Sequence, residues 1–218
     1  MTFQDIKAVL FDLDGTLIDS ENFYFSNWAP ILAEEFDVHI TFGDWIEHFA
    51  GHTLARNVAF LKEKYGVQTT EEFMFRSTRA NYAKADMSKI GLMPYAKEIL
   101  EELKAKGIRI ALVTSSYRST VDAVLGHHGL LDYFEFFVTR DVVENPKPNA
   151  EPYLQGIEKL GLDKQHVLAI EDTITGFSAA SAAGLTCLAI SKHKTEREKL
   201  AGAEYLFESL DMLKDLIY

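Results

Sequence analysis

Apolar positions along the chain follow two rhythms. From Ile90 onward, short apolar runs alternate with segments of helical spacing. "IRIALVT" (108–114) follows "PYAKEILEELKAKG", where Ala96, Ile99, Leu100 and Leu103 keep helical spacing and Gly107 reads as the residue that ends the helix. "FEFFVT", "HVLAI" and "LTCLAI" are further strand candidates, each separated from the next by a helix-length segment. This alternation predicts an α/β fold, with a Rossmann-like parallel sheet and helices on both faces. "IKAVLFDLD" is a strand of the same kind, but it stands far upstream.

Between that first strand and the rest, residues 20–88 contain no convincing strand. Phe25, Trp28, Ala29, Leu32 and Phe36 share one helical face, although Pro30 should kink or interrupt it. Leu54, Val58, Leu61 and Tyr65 form a second face at the same period. The pattern predicts a small α-helical cap, residues 18–90, inserted after the first strand of a core built from 1–17 and 91–218. The expected hinges are Gly15–Ser20 and Ile90–Pro94.

Composition narrows the picture. The 218 residues suffice for a real core, and 47% hydrophobic with 25% charged residues is ordinary for a globular protein. No apolar stretch approaches the roughly 18 residues of a membrane span, and "MTFQDIKAV" does not read as a secretory signal. A lone cysteine, Cys187, excludes an internal disulfide and fits a cytoplasmic protein. A net charge of −11 argues against nucleic acid or an anionic membrane as partner. A small anion can still bind where cations are concentrated. Nothing in the sequence fixes the oligomeric state, and a monomer is expected.

Ligands of open α/β sheets bind beyond the carboxyl ends of the strands, and polar residues collect there. Asp12 and Asp14 end the first strand, and period-two alternation points both to one side. "ALVTSS" delivers Thr114, Ser115 and Ser116 to another strand end, where a hydroxyl and turn amides make an anion cradle. "HVLAIEDT" ends a third strand on Glu171 and Asp172. "NPKPNAEPYL" sets Lys147 between two prolines before a helix that Asn149 could cap. Each feature alone is ordinary: a solvated turn, a cap, a surface lysine, a dipole-complementing acid pair. As a set they offer three carboxylate clusters for a divalent cation, with a hydroxyl and an ammonium suited to phosphate. Oxygen-only ligands favour Mg²⁺.

With those residues in view, the chain resembles the haloacid dehalogenase-like superfamily. "FDLDGTLIDS", "LVTSS", Lys147 and "IEDTITG" are similar to its four motifs, in order. Within it the chain looks like the β-phosphoglucomutase-like and sugar-phosphatase branch, whose α-helical cap occupies the place of the insertion. The resemblance implies Asp12 as a nucleophile that forms an aspartyl-phosphate, and Asp14 as the acid and base. It implies Mg²⁺ held by the Asp12 carboxylate, the Asp14 backbone carbonyl and Asp172, with Glu171 a direct or water-mediated ligand. Thr114, the Ser115 amide and Lys147 would bind the phosphoryl oxygens. The implied activity is phosphatase action on a small phosphorylated metabolite, a sugar or polyol phosphate.

Two other readings are distinguishable by sequence. In the β-phosphoglucomutase pattern a His in the first cap helix and an Arg in the cap loop handle the second phosphate. Here Tyr24 and Leu54 take those places, with Arg56 two residues too late, which favours hydrolysis. A non-hydrolytic phospho-receiver module would need neither Asp14 nor a cap. The remaining candidates read as structural. Asp19 and Ser20 should cap the first cap helix, and Trp28 and Trp45 should lie in the cap core. Cys187 should be buried, while His127, His128 and His193 should sit at the surface or at helix ends. His52 and Thr53 belong to a cap loop that could face the active site.

Overall fold

The computed structural model describes residues 5–191, 194–214 and 216. His193 lies outside them. The chain divides into two compact units, Met1–Asp19 with Gly91–Tyr218, and Ser20–Ile90.

The first unit begins with β1 (Ala8–Phe11). The chain then turns through β2 (Ile18–Asp19) and leaves. The second unit, taken up below, is four helices: α1 (Glu21–Phe36), α2 (Phe42–His48), α3 (Leu54–Tyr65) and α4 (Glu71–Tyr82). The chain re-enters the first unit at β3 (Gly91–Leu92), which pairs antiparallel with β2. From there α5 (Ala96–Ala105), β4 (Arg109–Val113), α6 (Arg118–His127), β5 (Phe137–Val138) and α7 (Glu151–Leu160) alternate. They are followed by β6 (Val167–Glu171), α8 (Ile174–Ala182), β7 (Thr186–Ile190), α9 (Lys194–Lys199) and β8 (Tyr205–Phe207).

The six-stranded sheet has the order β5-β4-β1-β6-β7-β8, and every neighbouring pair in it is parallel. A central parallel strand is buried on both faces, so it reads as a continuous apolar run rather than an alternating one. All four residues of β1, "AVLF", are accordingly inaccessible. Ala8 and Leu10 join Tyr153, Leu160, Ala179 and Ala183 in one cluster, so α7 and α8 cover that face. Val9 and Phe11 alternate to the other face, where α5 packs against β4. Gly107 ends the α5 segment with φ +72°, as its position after the amphipathic run predicts.

Two predicted strands change in extent. Of "FEFFVT" only Phe137–Val138 joins the ladder, as a short edge strand. The opposite edge strand, β8, escapes the pattern because its three residues are all half-buried and show no contrast between faces.

The second unit has its own core, in which Trp28, Trp45, Phe49, Leu61 and Met74 are buried. Trp45 stacks on Phe49 with centroids 5.5 Å apart. The starts of α2, α3 and α4 are set by Thr41, Thr53 and Thr70, whose hydroxyls accept from Asp44, Arg56 and Phe73 backbone N–H. One expectation is narrowed here and one corrected. Pro30 does not interrupt α1, which runs through it. The carbonyl that lacks its usual helical donor belongs to Ser26, an exposed residue that water can reach. Ser20 occupies the N-cap position of α1, but its hydroxyl makes no capping bond. Its backbone is already helical (φ −91°, ψ −5°), whereas capping geometry needs an extended residue. Among the described residues, no helix is long and apolar enough to cross a membrane.

Candidate active site

The three central strands β4, β1 and β6 end side by side, and this places the candidate residues. Asp12 follows β1 directly, and its backbone N–H extends the ladder by donating to Ile170 O at 2.9 Å. Its side chain is buried. Two residues on, Asp14 is half-buried. There the chain folds back, with Gly15 N–H donating to Ile18 O at 2.9 Å. Gly15 has φ +80°, and a Cβ on it would overlap the Asp172 carboxylate. Only glycine meets both demands.

Thr114 follows β4 and is buried. Its hydroxyl accepts from Ser116 N–H at 3.0 Å. Ser115 is exposed between them. Asn149 is one residue ahead of the N-cap position of α7, which is Ala150, yet its Oδ1 accepts from Glu151 N–H at 2.9 Å. It therefore holds the first amide of the helix from just outside it.

Lys147, expected to face a phosphate, is buried and saturated by this chain's own acceptors. Its Nζ donates to Asp12 Oδ1 at 2.6 Å, Val113 O at 2.8 Å and Glu171 Oε1 at 2.5 Å. Glu171 Oε1 also accepts from the phenol of Tyr153 at 2.7 Å. Gly176, in the first turn of α8, lies directly under this carboxylate: a Cβ there would coincide with it. Oxygens of Asp12, Glu171 and Asp172 lie within 4.8 Å of one another.

The electrostatics follow from one ammonium among three carboxylates in a buried place. Burial and the nearby Glu171 charge raise the Asp12 carboxyl well above its ordinary value, against the pull of Lys147. For Lys147, burial opposes the charge, but Asp12 and Glu171 outweigh it and hold the ammonium above its ordinary value. Burial, then Glu171, pushes the Tyr153 phenol up, so it stays a donor. The Cys187 thiol is raised by the same two causes and is inert packing. Excess negative charge held by oxygen donors alone fits a small hard cation such as Mg²⁺, and Gly15 leaves the space next to Asp172 that a side chain would fill.

The sequence places Ser116 at a strand end without assigning it a role, and it does not single out Tyr153. Ser116 donates from its hydroxyl to Asp14 Oδ2 at 2.7 Å. The signal was present in "TSS", where a strand end delivers three hydroxyls rather than two. Tyr153 carried no signal beyond its position seven residues after Pro146, since a tyrosine on an apolar helix face reads as core. His127 and His128 fall at the end of α6, as expected. Trp28 and Trp45 lie in the core of the second unit. Thr53 caps α3.

A doubly wound parallel sheet with a carboxylate cluster and a buried lysine at its carboxyl edge defines a class of α/β hydrolytic enzymes. The chain belongs to the haloacid dehalogenase-like hydrolases, whose family pattern matches residues 9–190. It is 30% identical over 208 residues to "Putative phosphatase YhcW" of Bacillus subtilis (strain 168), covering 94% of this chain and 92% of that protein. To "Phosphorylated carbohydrates phosphatase" of Thermotoga maritima it is 29% identical, over 97% of this chain and 100% of that one. The crystal structure of CbbY from Rhodobacter sphaeroides in complex with phosphate superposes with a TM-score of 0.78 at 25% identity, covering 95% of this chain and 96% of that one.

Proposed function

We propose that this phosphatase hydrolyses a small phosphorylated metabolite, a sugar or polyol phosphate, through an aspartyl-phosphate on Asp12. The observation that carries the reading is the meeting of Asp12, Glu171 and Asp172 at the sheet's carboxyl edge, with buried Lys147 paired to the first two. The Asp12 carboxylate attacks phosphorus while Asp14 gives a proton to the departing oxygen, and Asp14 then takes a proton from the water that cleaves the acyl-phosphate. Thr114, the Ser115 amide and Lys147 hold the phosphoryl oxygens, with Lys147 exchanging an internal acceptor for one on the substrate. Asp12, Asp172, the Asp14 backbone carbonyl and Glu171 would hold Mg²⁺, which supplies neutralisation of the carboxylates and of the transferring phosphoryl group. Residues 18–90 form the cap, to which we assign substrate choice, and the enzyme works in the cytoplasm.

The relative named for phosphorylated carbohydrates supports the substrate class, and Tyr24 and Leu54 argue for hydrolysis over a mutase reaction. A panel of phosphometabolites assayed for phosphate release, with Mg²⁺ and with chelator, tests the reading. Release that is dependent on Mg²⁺ and greatest for a sugar or polyol phosphate is expected. Equal release in chelator, or none from any member, would overturn it.

A further inference from the structure

We propose that Ser116 is the positioning residue of the proton-transfer step, holding the Asp14 carboxyl in its working orientation; this rests on Asp14 being the acid of the reaction. The Ser116 hydroxyl donates to Asp14 Oδ2 at 2.7 Å across 102 residues of sequence. Ser116 itself is clamped by its backbone. Its N–H donates to Thr114 Oγ1 at 3.0 Å, and its carbonyl accepts from Arg140 N–H at 2.9 Å. Its side chain is largely buried, at 9% exposure. The hydroxyl is therefore delivered to the half-buried Asp14 carboxyl from a fixed point.

In the first step the bond from the Asp12 carboxylate to phosphorus forms as the bond to the leaving oxygen breaks. The Asp14 proton goes to that oxygen, and the carboxylate left behind is stabilised by the Ser116 O–H. One hydrogen bond to a charged group is worth a factor of about ten to a hundred in the population of an orientation.

An alcohol leaving group needs the proton, and p-nitrophenolate does not. The experiment measures kcat/KM, which reports the steps through transfer to Asp12, for the best sugar or polyol phosphate and for p-nitrophenyl phosphate. Parent, D14N, S116A, S116C and S116T are compared. S116A should lose at least about tenfold more on the alkyl ester than on the aryl ester, in the same direction as D14N. S116T, which keeps the hydroxyl, should restore most of the difference, and S116C covers the case in which S116A does not fold. If D14N discriminates between the esters and S116A and S116C do not, the positioning role is wrong while the acid stands. If D14N does not discriminate, the assignment of Asp14 falls first. A rise in KM shared equally by both esters would make Ser116 a substrate contact and also overturn the proposal.

Discussion

Replacing Gly176 by Ala sets two effects of opposite sign against each other. Gly176 lies inside α8, and its φ is not in the left-handed region, so helix propensity favours alanine by about 0.8–1.0 kcal/mol. The structure predicts the reverse, because the new methyl would coincide with the Glu171 carboxylate. Such an overlap is cheap when the obstructing side chain can swing into water. Glu171 cannot, since it is 1% exposed and held by Lys147 at 2.5 Å and Tyr153 at 2.7 Å. Overpacking costs about 1–3 kcal/mol, and losing a hydrogen bond to a charged group adds about 1.5–3 kcal/mol. Lys147 keeps Asp12 and Val113 O, so the larger penalty of an orphaned buried charge does not apply. Against the helix gain, the net is a destabilisation of roughly 1.5–5 kcal/mol, or about 3–20 °C in Tm for a chain of this size. Thermal unfolding by circular dichroism reads it, with Gly126→Ala as the control. Gly126 also lies in a helix, but its added methyl would meet only Leu131 Cδ1 at 3.5 Å, so that variant should be neutral or slightly stabilised. A Gly176→Ala protein as stable as the parent, with the same Mg²⁺ requirement, would mean that Glu171 is not pinned over the helix start.

Three further outcomes follow from the same residues. Asp12→Asn should abolish turnover with the fold intact, and residual activity above about one per cent of the parent would count against covalent catalysis through Asp12. Mg²⁺ at about a hundred times its dissociation constant should stabilise the parent by roughly 2.7 kcal/mol, or about 5–11 °C in Tm. Asp172→Ala should lose most of that shift, and an undiminished one would remove Asp172 from the metal site. Supplied with β-glucose 1-phosphate, Mg²⁺ and a trace of the bisphosphate, the enzyme should release phosphate far faster than it forms glucose 6-phosphate. Isomerisation outrunning release by tenfold would show the mutase reading right.

The legible part of the fold was the part with strong contrast. β1, β4, β6 and β7 are runs of four or five residues that are buried along nearly their whole length, and α5 and α7 carry apolar stripes. Edge strands lack that contrast, so β8 was missed and β5 was drawn too long. At Pro30 the helix continues without interruption, and the carbonyl that lacks its usual donor belongs to an exposed residue. The pairing of β2 with β3, two residues each, leaves no periodic trace in sequence at all.

The site was legible to the level of strand ends and no further. Sequence order gives β1, β4 and β6 as carriers of acids and hydroxyls, and the strand order β4-β1-β6 brings those ends together. Which groups touch depends on side chains separated by 135 residues for Lys147 and Asp12, and by 24 for Lys147 and Glu171. Spacing alone could assign Lys147 to a phosphate, but it could not show that its donors are taken by Asp12, Glu171 and the end of β4. That arrangement bears on why a core strand ends in acid. Three carboxylates with one ammonium leave the buried edge negatively charged, and a cation is the cheapest way to correct it. In the proposed reaction Lys147 meets the phosphoryl group, so the lysine that balances the resting site would have to loosen its hold on Asp12 as Asp12 attacks.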